Sequence, residues 1–247
     1  MSFRALNRSL RWAGYLLLTV VALYAAVLNL PGLLFPYHVT QGRLTLYSDE
    51  PIEGAPAVLR DAQARIETSP MDDHRPHTVA IANSEWRRKL VFTIEGGAAG
   101  VNYHPLTGVV YLRHADIGQN QLYGASGKPA APPRTLSYYM AHEITHSLTG
   151  ERLGPLHLWN RRLPQWVREG YADYVGMGGK VDVADLYRRE KAGDPDLSFA
   201  RSHTYAEFRL LAAYFLQDRG WTVDQLLASK LTKAQAQAAM EASPPKL

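Results

Sequence analysis

The chain contains no cysteine. That excludes disulfides, thiolate metal ligands and a thiol nucleophile, and it is compatible with an oxidising compartment. Charge is missing from one long stretch. No Asp, Glu, Lys or Arg occurs between Arg11 and Arg43, and Trp12 to Leu30 is 19 residues without a charge. At a rise of ~1.5 Å per residue such a run crosses a hydrocarbon core of ~30 Å. It is apolar on every face, which argues against a core helix. It is also longer than the ~7–15-residue apolar core of a cleaved signal peptide, and no A-x-A-like site follows it. The expectation is therefore an uncleaved transmembrane signal anchor within residues 1–35, ended by Pro31-Gly32, with Trp12 and Tyr37 suited to the interfaces. Arg4, Arg8 and Arg11 precede the run with no acid among them. The positive-inside rule then puts the N-terminus in the cytoplasm and the remainder on the extracytoplasmic side of the inner or plasma membrane, which is the periplasm in a Gram-negative cell.

A basic patch is missing too. The isoelectric point of about 9.2 owes much to the three arginines before the apolar run. Residues 36–247 carry 24 Lys and Arg against 23 Asp and Glu, a net of +1. Nucleic acid is thereby disfavoured as a partner. No internal repeat is visible.

What the chain does have is His142-Glu143-Ile144-Thr145-His146, an H-E-x-x-H sequence. Residues four apart share a helix face, so both imidazoles can reach one metal ion. Glu143 follows the first His, where its carboxylate reaches a water beside the metal without ligating the metal itself. Zinc supplies a Lewis acid and lowers the pKa of that water, and the Glu takes its proton. The surroundings read as a helix. Thr135 is a good N-cap after Pro132-Pro133, residues 136–148 lack Gly and Pro, and Gly150 is available as a stop. Leu136, Tyr139, Met140, Ile144 and Leu148 form an apolar stripe.

A zinc hydrolase keeps three protein ligands and one open position. The segment Leu163-Pro-Gln-Trp-Val-Arg-Glu-Gly-Tyr-Ala-Asp-Tyr174 reads as a second helix and offers Glu169. Asp173, one turn on and on the same face, is suited to accept a ring N–H from a ligating His. Trp166, Ala172 and Tyr174 read as core packing.

HEITH followed by WVREGYADYV resembles the gluzincins, the thermolysin- and aminopeptidase-like zinc peptidases of the peptidase MA-like superfamily. Their pattern is H-E-x-x-H and then a helix reading W-x-x-E-G-x-A. The resemblance implies His142, His146 and Glu169 as zinc ligands, Glu143 as general base and Asp173 as the residue that orients the first His. It is close over residues 135–175, with a looser echo to about 220. The gap of 22 residues between His146 and Glu169 is longer than in the best-known members, and an inserted loop at 150–162 absorbs it. The metzincin pattern fits less well, because Thr149 and Arg152 stand where its Gly and third His belong. His157 remains an alternative to Glu169.

The resemblance also implies a zincin-like α+β architecture, with an N-terminal mixed α/β lobe (36–134) and a helical lobe (135–247) carrying the zinc. In such folds an edge strand above the metal helix binds substrate backbone by strand addition. Val109, Val110, Tyr111, Leu112 and Arg113 are the expected substrate-binding strand. Other strands are expected at 42–47, 77–82 and 89–94, and a helix at 57–67. Residues 118–133 read as a long loop near the site. Further helices are expected at 165–175, 183–191, about 204–218, 222–229 and 233–241, with capping boxes at Thr222/Gln225 and Thr232/Gln235. Zincins add a Tyr or His that donates to the oxyanion. Tyr205 and His203 are candidates by position, against core packing for Tyr205 and a solvated helix start for His203.

Two functions follow. One is a membrane-anchored zinc peptidase acting on peptide or protein substrates. The other is a binding or scaffold module at the membrane with a structural zinc. The intact Glu143 favours the first, since a structural site needs no base there. The absence of a G-x-M-E-N segment before the metal helix favours an endopeptidase over an aminopeptidase, by resemblance.

Overall fold

The computed structural model describes residues 3–154 and 163–246, and the fold is α+β. Helix α1 (Phe3–Asn29) contains the apolar run. Its segment Arg11–Asn29, with a mean hydropathy of 1.7, is long and apolar enough to cross a membrane. A 3-10 turn at Pro31–Leu33 ends it and leads into β1 (Tyr37–Gln41) and β2 (Leu44–Ser48). Next come α2 (Ala55–Ile66), β3 (His77–Ile81), α3 (Glu85–Val91), β4 (Gly100–Asn102) and β5 (Val109–Leu112). A small hairpin of β6 (Ala115–Asp116) and β7 (Gln121–Leu122) follows. The rest is helical: α4 (Leu136–Leu153), α5 (Gln165–Gly176), α6 (Val183–Lys191), α7 (Phe199–Ser202), α8 (Ala206–Ala213), α9 (Val223–Ala228) and α10 (Lys233–Ala242), with a π turn at Tyr214–Asp218 after α8.

The main sheet has the order β1-β2-β3-β5-β4, parallel in the middle and antiparallel at both ends. Side chains alternate across it with period two. Val79, Ile81, Val110 and Leu112 face α2 and α4, where they meet Leu136, Met140, Ile144 and Leu148. Ala80, Val109 and Tyr111 face the other way, onto a second cluster with Phe92, Val101, Tyr103 and Leu28 from the end of α1. A third cluster, among α5, α6, α8, α9 and α10, contains Trp166, Val167, Tyr171, Leu211 and Phe215. Complete burial of a side chain of this size is worth ~1.5–3 kcal/mol.

The end of α1 is part of the folded body. Leu28 is fully buried. Its carbonyl accepts hydrogen bonds from Thr107 Oγ1 (3.1 Å) and the Tyr111 hydroxyl (2.7 Å).

Three local expectations are corrected. Residues 89–94 are the end of α3 and the turn after it, not a strand. A short apolar run is ambiguous between helix and strand, and here the i,i+4 ion pair Glu85–Lys89 (2.7 Å) and the burial of Val91 and Phe92 go with the helix. Gly150 does not stop α4, which runs on to Leu153 and ends at Gly154 (φ +84). Residues 118–133 carry β7 and brace the start of α4, where Asn120 accepts from the backbone N–H of Ser137 (2.8 Å); none of them lines the cleft that holds His142 and His146.

Candidate metal centre

The centre is made where the second helix of one core meets the first helix of another. Helix α4 starts at Thr135, whose Oγ1 accepts from the Tyr138 N–H (3.3 Å), the N-cap its sequence predicts. The apolar stripe of α4 is committed to the sheet, so the face bearing His142 and His146 turns toward α5. The two imidazoles stand one turn apart, edge to face, with centroids 4.9 Å apart. Helix α5 belongs to the helical core through Trp166 and Val167, and it presents Glu169 across the gap. At Gly170 a side chain would collide with the Phe208 carbonyl, so the glycine after Glu169 lets α5 and α8 approach closely.

Glu169 Oε2 lies 3.5 Å from His142 Nε2 and 3.5 Å from His146 Nε2. Around a tetrahedral ion with bonds of ~2.0–2.1 Å, neighbouring donors sit ~3.3–3.4 Å apart. The three donors thus have the spacing and the N2O chemistry to hold a divalent metal ion, and all three residues are largely buried. The other carboxylate oxygen, Oε1, accepts from Arg168 Nε (2.7 Å), which leaves Oε2 to face the imidazoles. Burial alone would raise the Glu169 pKa, but His146 and His142 outweigh it and hold it well below the ordinary carboxylate range. Burial alone would lower the His142 pKa, but Glu169, Glu143 and Asp173 outweigh that and hold it above its usual value.

Glu143 is buried beside this group without belonging to it. Burial raises its pKa, against the opposing pull of His146 and His142. Its neighbour on the other side is the backbone of β4. A Cβ at Gly100 would sit 2.6 Å from Glu143 Cγ and 2.8 Å from Oε1, so only glycine allows the strand to pass this close. The strand also ties to α4 through Asn102 Nδ2, which donates to Ser147 Oγ.

Asp173 does not contact His142 directly. The Tyr138 hydroxyl stands between them, donating to Asp173 Oδ1 and lying 3.5 Å from His142 Nδ1. Asp173 Oδ2 accepts from Arg209 (2.6 Å). The acid is spaced from the imidazole by a phenol because Tyr138, one turn before His142 on the same face, fills the gap that Asp173 would otherwise close.

These groups line a cleft of about 730 Å³ together with Glu95, Gly97, Arg134, Tyr139, His203 and Tyr205. Tyr205 stacks nearly parallel on His142 (centroids 5.8 Å, 10°) and is backed by Phe199 and Phe208. It is thus both a packed aromatic and a wall of the cleft. Burial, and then the charges of Glu169 and Glu143, raise its pKa, so it keeps its proton. His203 is exposed at the cleft mouth, in a left-handed conformation (φ +53) that ends α7.

The expected substrate strand is corrected. Val109, Val110, Tyr111 and Leu112 form β5, which is paired on both sides and buried. An inner strand has no free edge to offer. The outer strand is β4, and β4 lines the cleft. Arg113 does not line it either: its guanidinium donates to the carbonyls of Gly96 and Ala98, holding the cleft-lining loop. Tyr138, Arg168, Arg209 and Gly100 were not singled out from sequence. Tyr138 could have been, from its spacing to His142; Arg209 and Gly100 carry no local signal. His157 lies outside the described residues.

A second group of potential ligands, Asp72, Asp73 and His77, is already neutralised. Arg43 binds both oxygens of Asp72 (2.8 Å each), and Arg75 binds Asp73. No family model matches the chain, and no curated protein matches it in sequence, so the reading of this centre rests on its geometry.

Proposed function

We propose that the chain is a membrane-anchored zinc peptidase of the gluzincin type, with a zincin-like catalytic fold, that cleaves peptide or protein substrates as an endopeptidase. The observation that carries this reading is the convergence of His142 Nε2, His146 Nε2 and Glu169 Oε2 at ligand spacing, with Glu143 buried beside them and outside the ligand set. Zinc, when held by these three residues, supplies Lewis acidity and brings the pKa of a water toward neutrality.

The chain's own groups supply the rest. The Glu143 carboxylate accepts the proton of the attacking water and returns it to the departing amine. Its burial excludes bulk water from that transfer and brings its pKa nearer the working pH. The Tyr205 hydroxyl, which stays protonated, donates to the oxyanion from the cleft wall, with His203 at the cleft mouth as the other donor. The outer edge of β4 hydrogen-bonds an extended substrate backbone. Tyr138, held by Asp173 and Arg209, keeps His142 Nδ1 occupied so that Nε2 faces the ligand site. Arg4, Arg8 and Arg11 orient α1 with its N-terminus in the cytoplasm and the cleft outside it.

A structural-zinc scaffold would tolerate loss of the base, which gives the test. The full chain in detergent is expected to hold one zinc. Glu143→Gln should keep that zinc while peptide hydrolysis falls at least about a hundredfold, the usual size of general-base loss. Unchanged hydrolysis would remove the assignment. A reporter fused after Leu247 should be active only if it works outside the cytoplasm.

A further inference from the structure

We propose that the surface around the C-terminal end of α1 is seated in the headgroup layer of the bilayer, and that it holds the rim of the metal cleft at the membrane surface, so that the cleft takes polypeptide lying on the membrane. The inference rests on α1 as the membrane span, and its substrate clause on the peptidase reading.

The distribution of exposed large apolar side chains points to it. Among the described residues these lie either on α1 or at Leu30, Leu33, Tyr37, Trp86 and Ile94; none lies beyond Ile94. An apolar patch confined to one place marks an interaction surface. The patch adjoins the end of the span. Arg87 Nε donates to the Leu34 carbonyl (2.5 Å), and its guanidinium lies 4.3 Å from the Trp86 ring. The Tyr24 hydroxyl donates to the Leu90 carbonyl (3.0 Å). Helix α3 and the 31–35 turn therefore form a collar around the point where α1 leaves the apolar layer. Its composition is interfacial: Trp86 and Tyr37 with Arg87 and Lys89 beside them.

The span is fixed to this body and does not swivel on a linker. Leu28 is buried, its carbonyl is doubly hydrogen-bonded, and Asn29 Nδ2 donates to the Leu106 carbonyl (2.9 Å). The plane of the membrane is thus set relative to the cleft. The collar runs straight into the cleft rim, since Ile94 is followed by Glu95, Gly97 and β4, all lining the cleft. Leu106 is only four residues, at most ~14 Å of chain, from Asn102, which bonds to Ser147 beside His146.

The absence of cysteine makes every introduced thiol unique. The full chain would be reconstituted in phosphatidylcholine–phosphatidylglycerol vesicles with a fluorophore on Leu33→Cys, Trp86→Cys, Ile94→Cys or Gly97→Cys. Lys230→Cys, in the helical lobe, is the solvent control, and Leu18→Cys, in the middle of α1, reports the span. Nitroxides on lipid headgroups should quench positions 33, 86 and 94 about threefold or more over position 230, as burial ~5–10 Å into the interface implies. Position 97 should be quenched from headgroups and not from acyl chains. Position 18 should be quenched from acyl chains. If position 18 is in lipid and positions 33, 86 and 94 match position 230, the inference fails and the span stands; if position 18 is not in lipid, the span itself fails. Quenching at the collar without quenching at 97 would overturn the placement of the cleft. Protection of the collar without lipid quenching would mean that protein covers it, and would overturn the inference as well.

Discussion

Two clefts of nearly equal size share the same two helices. The cleft of the candidate metal centre, about 730 Å³, uses His142, Glu143 and His146 of α4 and Arg168 and Glu169 of α5. The other, about 720 Å³, uses Leu148, Glu151 and Arg152 of α4 and Tyr171 and Tyr174 of α5, with Met71, Leu216 and Trp221. In the second cleft every charge is already paired: Arg152 with Asp224 (2.6 Å), Arg75 with Glu151 and Asp73, and the buried Asp72 with Arg43 (2.8 Å). Its buried phenol, Tyr171, is tied to Ser69 (2.7 Å). In the first, His142, Glu143 and Glu169 are buried together, and their pKa values are displaced in different directions by one another and by burial. Volume does not separate the two. Arrangement does: in the second cleft the acids are held by arginines, whereas in the first a carboxylate oxygen and two imidazole nitrogens converge at ligand spacing.

Variants can break that contrast or sharpen it. The largest effect is expected for His142→Ala/His146→Ala, which should reduce zinc from one per chain to near none by elemental analysis of the purified full chain. Full zinc content would mean that the donors lie elsewhere. Asp173→Ala should come next, because it strips Tyr138 of its acceptor and leaves the mostly covered Arg209 (side chain 14% exposed) without its carboxylate. Loss of one member of such a pair costs ~3–5 kcal/mol, which denaturant unfolding would read directly. Tyr138→Phe keeps the ring and the Asp173–Arg209 pair. It should leave stability nearly intact while weakening zinc about tenfold in a competition titration, the lower end of what outer partners of a ligand contribute. Equal zinc affinity would show that the phenol does not orient His142. The smallest effect belongs to the second cleft. Arg152→Ala removes an exposed pair of the kind that contributes little, and zinc content and turnover should stay within about twofold. A tenfold loss would erase the distinction between the clefts.

Much of the centre is legible in the sequence because its signals are local. Thr135, the i,i+4 spacing of His142 and His146, and the Glu169-Gly170 pair are all read within a helical turn or two. The same holds for the capping boxes at Thr222/Gln225 and Thr232/Gln235, which form as expected, and for α6, whose bounds are those expected. What fails is decided at a distance. Strand β4 is three residues long, with no alternation to announce it. It is an edge strand only because β3 and β5 pair across 31 positions (Thr78 with Val109), a fact absent from Val109–Leu112 itself. Arg209 reaches Asp173 from 36 positions away. Gly100 reads as a loop glycine until Glu143 is seen beneath it. The run 89–94 shows the opposite failure: its apolar content is right, but its period is too short to choose between helix and strand.

The provenance of the three donors has a mechanical side. His142 and His146 ride on a helix whose stripe is sunk in the sheet core, whereas Glu169 rides on one sunk in the helical core. An ion gripped by all three is a rivet through two plates. Any opening of the plates must pull the rivet out, and tight binding to the closed form adds directly to the work of opening. Chelation would then soften the seam between the cores before it softens either core, and the cleft, which lies along that seam, would be the first part of the molecule to lose its shape.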